Sequence, residues 1–182
     1  MSSVHLQSGE STLADLEAMP GSDGNRYELV DGHILASPWP SHYGGVSFRL
    51  GPILAHAVPP GHASYRLCRL DLPDEQRVVP DLMVAPHSSV GDQGVHAPVL
   101  LVVEVLNGLG PEDLARKRAA FAAAEVPAYW VIDPEATNAT CLKLEGGEYT
   151  TYAEGPVVEL DWPLAVTVDV AEVARPQASA PG

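Results

Sequence analysis

Two apolar runs, each interrupted by a single acid, limit what this chain can become. The first reads Val78-Val79-Pro80-Asp81-Leu82-Met83-Val84 and the second Val99-Leu100-Leu101-Val102-Val103-Glu104-Val105-Leu106. Both are rich in β-branched and aliphatic residues and have the length of a buried strand. An ionised carboxylate inside such a strand is costly unless something pairs with it. Asp81 and Glu104 stand 23 positions apart (104 − 81), which suits two neighbouring strands joined by a loop. If the strands pair, the acids converge at one sheet end and can share a divalent cation, since hard cations such as Mg²⁺ favour oxygen clusters. Lys117 follows on the next expected helix. Two acids and a Lys around a sheet edge suggest metal-assisted phosphodiester hydrolysis. The plainer reading of each acid is a solvated strand tip or the partner of an arginine.

The 182 residues, 46% of them hydrophobic, suit one domain with short appendages and a real core. Residues 1–10 and 171–182 are expected to be disordered, and 11–170 to form the domain. Two cysteines, Cys68 and Cys141, are too few for a disulfide framework and fit buried thiols in a reducing cytosol. No apolar run approaches the roughly 20 residues of a membrane helix. The N-terminus lacks the basic-then-apolar pattern of a signal peptide, so a cytoplasmic protein is expected. The formal net charge of −14 argues against coating nucleic acid by charge alone, which relies on Lys and Arg. A nuclease of this balance needs a local basic patch, bound cations or a partner.

Along the chain, Ser11 or Thr12 can cap a short helix running to Met19. Residues 26–30 read as a strand, Asp31-Gly32 as a two-residue hairpin turn, and 33–36 as the returning strand. Ser41 caps a helix in which Val46, Leu50, Ile53, Leu54 and Ala57 recur at helical spacing and Pro52 is awkward. His42 opens its inward face. Residues 63–72 have strand character, and 86–98 read as a loop. Pro111, Glu112 and Asp113 suit the first turn of a helix that runs to about Glu125. Residues 128–134 form a buried strand, 140–144 and 149–153 a hairpin, and 157–169 an edge strand. The order gives a mixed-sheet α/β domain with helices packed on the sheet and extra antiparallel strands.

Several pieces occur together in one order: Tyr27-Glu28-Leu29-Val30-Asp31-Gly32, His42, Val79-Pro80-Asp81-Leu82, Val103-Glu104-Val105-Leu106, Asp113, Lys117, and Val126-Pro127-Ala128-Tyr129-Trp130-Val131-Ile132-Asp133-Pro134. This combination resembles the Uma family of restriction endonucleases, within the PD-(D/E)xK nuclease superfamily, over about residues 12–155. The resemblance implies a restriction-endonuclease-like fold with a mixed central sheet. It implies that Pro80-Asp81 is the PD element and Glu104 the second acid. Position 106, where the superfamily usually has Lys, is Leu, and Lys117 stands where similar families supply the Lys from the following helix. Three departures stand out. Positions 107–110 read Asn-Gly-Leu-Gly instead of a Ser-Pro-Ser-Thr type of turn, Phe121 replaces a common Tyr, and Glu125 replaces a usual Gly.

The roles expected on this resemblance are Asp81 and Glu104 as ligands of Mg²⁺ (Mn²⁺ substituting), with the Val105 carbonyl a third. The metal lowers the pKa of bound water and stabilises charge on the phosphate. Lys117, judged to border the helix face packed on the sheet, orients the attacking water or offsets transition-state charge. Its plainer reading is an ion pair with Asp113 or a snorkelling side chain. Glu28 and His42 are accessory candidates, and Arg26, Arg116 and Arg118 candidate phosphate contacts. The leading function is a metal-dependent DNA endonuclease acting as a cytoplasmic homodimer, its interface near the apolar strands at 128–144. The alternatives are a catalytically decayed binding module on the same fold, acting as a dimer or in a complex, and an RNA nuclease.

Overall fold

The computed structural model describes residues 10–38, 44–106, 108 and 110–175. The readings made for residues 1–9, Ser41, His42, positions 107 and 109, and residues 176–182 lie outside these. The first helix, α1 (Leu13–Glu17), starts on a capping box: Thr12 Oγ1 accepts the Asp15 amide and Asp15 Oδ2 accepts the Thr12 amide, which satisfies two orphan donors reciprocally. Strands β1 (Asn25–Val30) and β2 (His33–Pro38) pair in register across Asp31-Gly32. Both turn residues have positive φ, 49° and 68°, the backbone that matches the twist of a hairpin. Helix α2 (Gly44–Ala57) buries Val46, Leu50 and Leu54 and carries Pro52 on its exposed side. The amide that Pro52 lacks would have met the carbonyl of Phe48, also an exposed residue, where water can substitute.

The chain then moves between two sheets. Strands β3 (His62–Arg66) and β6 (Leu82–Pro86) pair antiparallel in a main sheet, but between them β4 (Leu70–Leu72) and β5 (Gln76–Val78) belong to a second sheet. The run 63–72 is therefore not one strand: it breaks at Leu67, which has φ 53°. The run 78–84 breaks as well, at Val79-Pro80-Asp81, because proline has no amide to give to a ladder. The Leu67 amide donates to the Asp81 carbonyl at 3.2 Å, tying the two crossings together. Residues 87–96 hold a single 3₁₀ turn and two short strands, β7 (Val90–Gly91) and β8 (Gly94–His96), where a loop was expected. Strand β9 (Leu101–Val105), helix α3 (Pro111–Ala123) and strand β10 (Ala128–Asp133) form a parallel βαβ unit. Strands β11 (Asn138–Glu145) and β12 (Glu148–Gly155) follow as a hairpin.

The main sheet has the order β12-β11-β10-β9-β6-β3 and the second β2-β1-β5-β4-β8-β7. Each mixes parallel and antiparallel pairs. One face of the main sheet carries Leu82, Val103, Trp130 and Ile132 and is covered by α2 and the C-terminal elements. The other carries Met83, Val102 and Tyr129 and packs against α3 and the second sheet. Residues 157–169, expected as an edge strand, instead form a separate hairpin of β13 (Val157–Leu160) and β14 (Val166–Asp169). The expected tail from 171 begins too early. Residues Val170–Val173 form α4, capped by Asp169 and burying Val170 and Val173 in the core, a four-residue helix too short for periodicity to disclose. No helix among the described residues is long and apolar enough to cross a membrane.

Candidate active site

Period-two alternation explains why an acid stands in the middle of β9. Leu101, Val103 and Val105 face α2, so Val102 and Glu104 face the second sheet. The pairing of β6 with β9 matches Leu82 with Val103. One step further along the register puts Asp81 opposite Glu104, on the same face. From the facing sheet, β1 turns Arg26 and Glu28 inward, two positions apart, in line with Val30. From α3, Lys117, on the buried stripe with Ala120 and Phe121, faces the same space. Strand, facing strand and helix thus deliver three acids and two cations to one enclosed volume between the layers.

Lys117 lies in the middle of its helix stripe, not at the rim, and is 0% exposed; Glu104 is 0%, Glu28 1% and Asp81 2% exposed. Its ammonium sits 3.0 Å from both carboxylate oxygens of Glu28 and 2.6 Å from Glu104 Oε1. Its ion pairs therefore run to other elements and not along the helix to Asp113. Glu28 Oε1 also accepts the Val79 amide at 2.6 Å, fixing the approach to Pro80-Asp81. Asp81 Oδ2 accepts the Val105 amide at 2.8 Å, and its Oδ1 lies 3.4 Å from Arg26 Nη1. Val105 thus enters the cluster through its N–H. Glu104 Oε2 is buried and has no hydrogen-bond partner among the described residues.

The two carboxylates on Lys117 titrate in opposite directions. Burial pushes Glu28 up, but Lys117, Arg26 and the Val79 amide outweigh it and hold the carboxyl below the ordinary glutamate range. For Glu104 burial prevails. Lys117 pulls it down, Glu28 and Asp81 push it up, and it settles at about 7. Burial disfavours the Lys117 ammonium, yet Glu104 and Glu28 hold it charged, above its ordinary value. A Lys so held cannot serve as a base at neutral pH; it is a fixed positive charge.

The donor set suits a hard cation only in part. Among the described residues no three His, Cys, Asp or Glu side chains are placed to share one ion. Two carboxylates, with Glu104 Oε2 unpartnered, leave the rest of a coordination shell to the main chain, water or substrate oxygens, an arrangement Mg²⁺ tolerates well. His42 lies outside the described residues. Arg116 pairs with Asp31 at 3.2 Å and Arg118 donates to the Tyr149 carbonyl, so neither joins the cluster. Arg26, which sequence reading treated as a phosphate contact, is instead part of it. The signal was available in its two-residue spacing from Glu28.

A search of curated proteins returned no match. Among solved structures, the chain resembles a crystal structure described as "a putative nuclease belonging to DUF820" from Anabaena variabilis ATCC 29413. The TM-score is 0.69 at 15% sequence identity, over 89% of this chain and 96% of that one; at that identity the likeness is one of fold. The family model described as "Uma2: Putative restriction endonuclease" matches residues 13–173. That span takes in every strand of both sheets and all the acids and cations of the buried cluster, and so this chain belongs to the Uma2 family.

Proposed function

We propose that the protein is a metal-dependent endonuclease that hydrolyses phosphodiester bonds in DNA, with Mg²⁺ as its cation and Mn²⁺ able to substitute. The observation that carries this reading is the convergence of Asp81, Glu104 and Lys117 at the end of β9, with one buried carboxylate oxygen unpartnered. Asp81, Glu104 and the Val105 carbonyl would hold the cation. When bound, it supplies an activated water and neutralises charge on the phosphate. Lys117, clamped between Glu28 and Glu104, presents a positive charge that needs no reorganisation as negative charge develops. Glu28 holds that ammonium and the Val79 amide in place. The apolar side chains packed between the main sheet, α3 and the second sheet keep bulk water away from the cluster.

One observation favours the alternative, a nuclease fold kept as a binding module. Asp81 is already paired with Arg26, and Glu28 and Glu104 with Lys117, so the acids are compensated without any ion. Substitution of Asp81 separates the readings. Asp81→Asn should weaken Mg²⁺ or Mn²⁺ binding at least tenfold by calorimetry and slow plasmid cleavage by about 10²–10³, the usual cost of one preorganised electrostatic group. Cleavage at the wild-type rate in Asp81→Asn would remove this cluster from the chemistry.

A further inference from the structure

Each oxygen of Asp81 has its own partner. Oδ2 is held by the main chain, through the Val105 amide at 2.8 Å, and moving it would take from that buried amide its acceptor. Oδ1 faces the Arg26 guanidinium at 3.4 Å, a longer and weaker contact. Oδ1 is therefore the atom with which Asp81 can ligate a cation, and Arg26 stands where that cation must approach. Arg26 is buried, at 9% exposure, and is fixed on β1 two residues from Glu28. Its ion pair with Asp81 is longer than either ion pair that Lys117 makes.

We propose that Arg26 is a built-in counter-cation which a divalent ion must displace from Asp81 Oδ1, so that the chain holds down its own affinity for metal. This rests on the metal site proposed above. The charges explain the arrangement. Three acids face two cations, and in a poorly solvated space each positive charge strongly opposes the arrival of another. With the guanidinium in place the acids are nearly compensated, and the layers can close on them during folding. A divalent ion gains Oδ1 and Glu104 Oε2 only by moving the guanidinium away. Arg26 thereby sets the ion concentration at which the site fills, and the displaced guanidinium, with its planar fork, is suited to phosphate oxygens.

The test is metal affinity without nucleic acid. Calorimetry with Mn²⁺ at pH 8 would compare wild type, Arg26→Met, Arg26→Lys and Asp81→Asn. Arg26→Met should bind Mn²⁺ at least tenfold more tightly than wild type. Arg26→Lys, which keeps the charge, should stay within about threefold of wild type. Equal or weaker binding by Arg26→Met, with binding by wild type that Asp81→Asn abolishes, overturns the role of Arg26 and leaves the metal site standing. No binding by any of the four proteins overturns the site itself. Wild-type protein gives a second readout that does not depend on the folding of a variant. The Arg26 Nε–H resonance, followed by ¹⁵N NMR, should shift in step with a Mg²⁺ titration; a signal unmoved at saturating Mg²⁺ counts against displacement.

Discussion

Lys117 has no contact with water and no apolar reason to be where it is. Its ammonium is the only cation within 3.0 Å of Glu28 and Glu104 among the described residues, so removing it leaves two buried carboxylates with only the more distant Arg26 charge to offset them. Sequence periodicity set Lys117 at the border of its helix face, and on that view truncation would barely touch stability. Burial reverses the expectation. Lys117→Ala should cost about 3–5 kcal/mol at pH 8, the usual penalty for breaking a buried pair from one side. The sign of the pH dependence follows from Glu104. Its folded-state value, about 7, lies above the ordinary 4.5, so its contribution is fully present below 4.5 and is lost as the pH rises through 7. Loss of the lysine charge moves Glu104 further upward. The penalty in Lys117→Ala should therefore shrink on going from pH 8 to pH 5, measured by urea unfolding in EDTA. A variant as stable as wild type at pH 8 would show that the ion pairs carry no weight. The acids and the lysine were legible in the sequence because charges interrupt apolar patterns. The place of Arg26 on the Glu28 face could be read from their two-residue spacing, but its pairing with Asp81 could not, since that partner lies 55 residues away and no local rule brings them together.

At the level of elements, α3 ends on a residue held in the left-handed region. The Val126 amide donates to the Phe121 carbonyl at 3.0 Å and Glu125 takes φ 54°, the left-handed close in which glycine is usual. Here a Cβ stands where a glycine would sit without strain. Glu125→Gly should raise stability by about 0.5–1 kcal/mol, the relief of a side chain held in the left-handed region less the added chain entropy. Thermal melts should show a rise in Tm, and a fall would mean that the Glu125 side chain contributes more than its backbone costs. The same elements show where periodicity stops being informative. The hairpin at 31–32 and the one at 146–147 were readable because Asp-Gly and Gly-Gly dictate their turns. The splits at Leu67 and Pro80 were not. A strand that leaves one sheet for another keeps its apolar pattern on both sides of the break, and only the missing proline amide hinted at it.

Over the whole molecule, the question is how a chain of net charge −14 meets a polyanion. Of the ten Lys and Arg, only Arg49, Arg66 and Arg118 make no ion pair among the described residues. These hold the Val173 carbonyl, the Phe48 ring and the Tyr149 carbonyl respectively. Little basic surface remains to attract phosphate, so on the proposed function affinity for DNA must come through bound cations. Sedimentation velocity with a short duplex should show no complex in EDTA and a complex in Ca²⁺, with the free protein at dimer mass. Tight binding in EDTA, or a monomer at micromolar concentration, would refute the respective expectation. Of the apolar side chains at 128–144, near which the interface is expected, Tyr129, Trp130, Ile132, Cys141 and Leu142 are buried within one chain, and Val131 and Leu144 are partly exposed. The mixed-sheet architecture was legible from the order of the apolar runs; the layering of two sheets was not, because their strands alternate along the chain. The bond from Lys117 to Glu28 spans 89 residues and has a meaning in time as well as space. During synthesis the first hairpin leaves the ribosome long before α3 exists. Glu28 cannot be enclosed until its lysine arrives, so a half-made chain holds its acids open to water with only Arg26 of the same hairpin to offset them. On the proposed function, the buried lysine ties the moment at which the chain can act to the moment at which it closes.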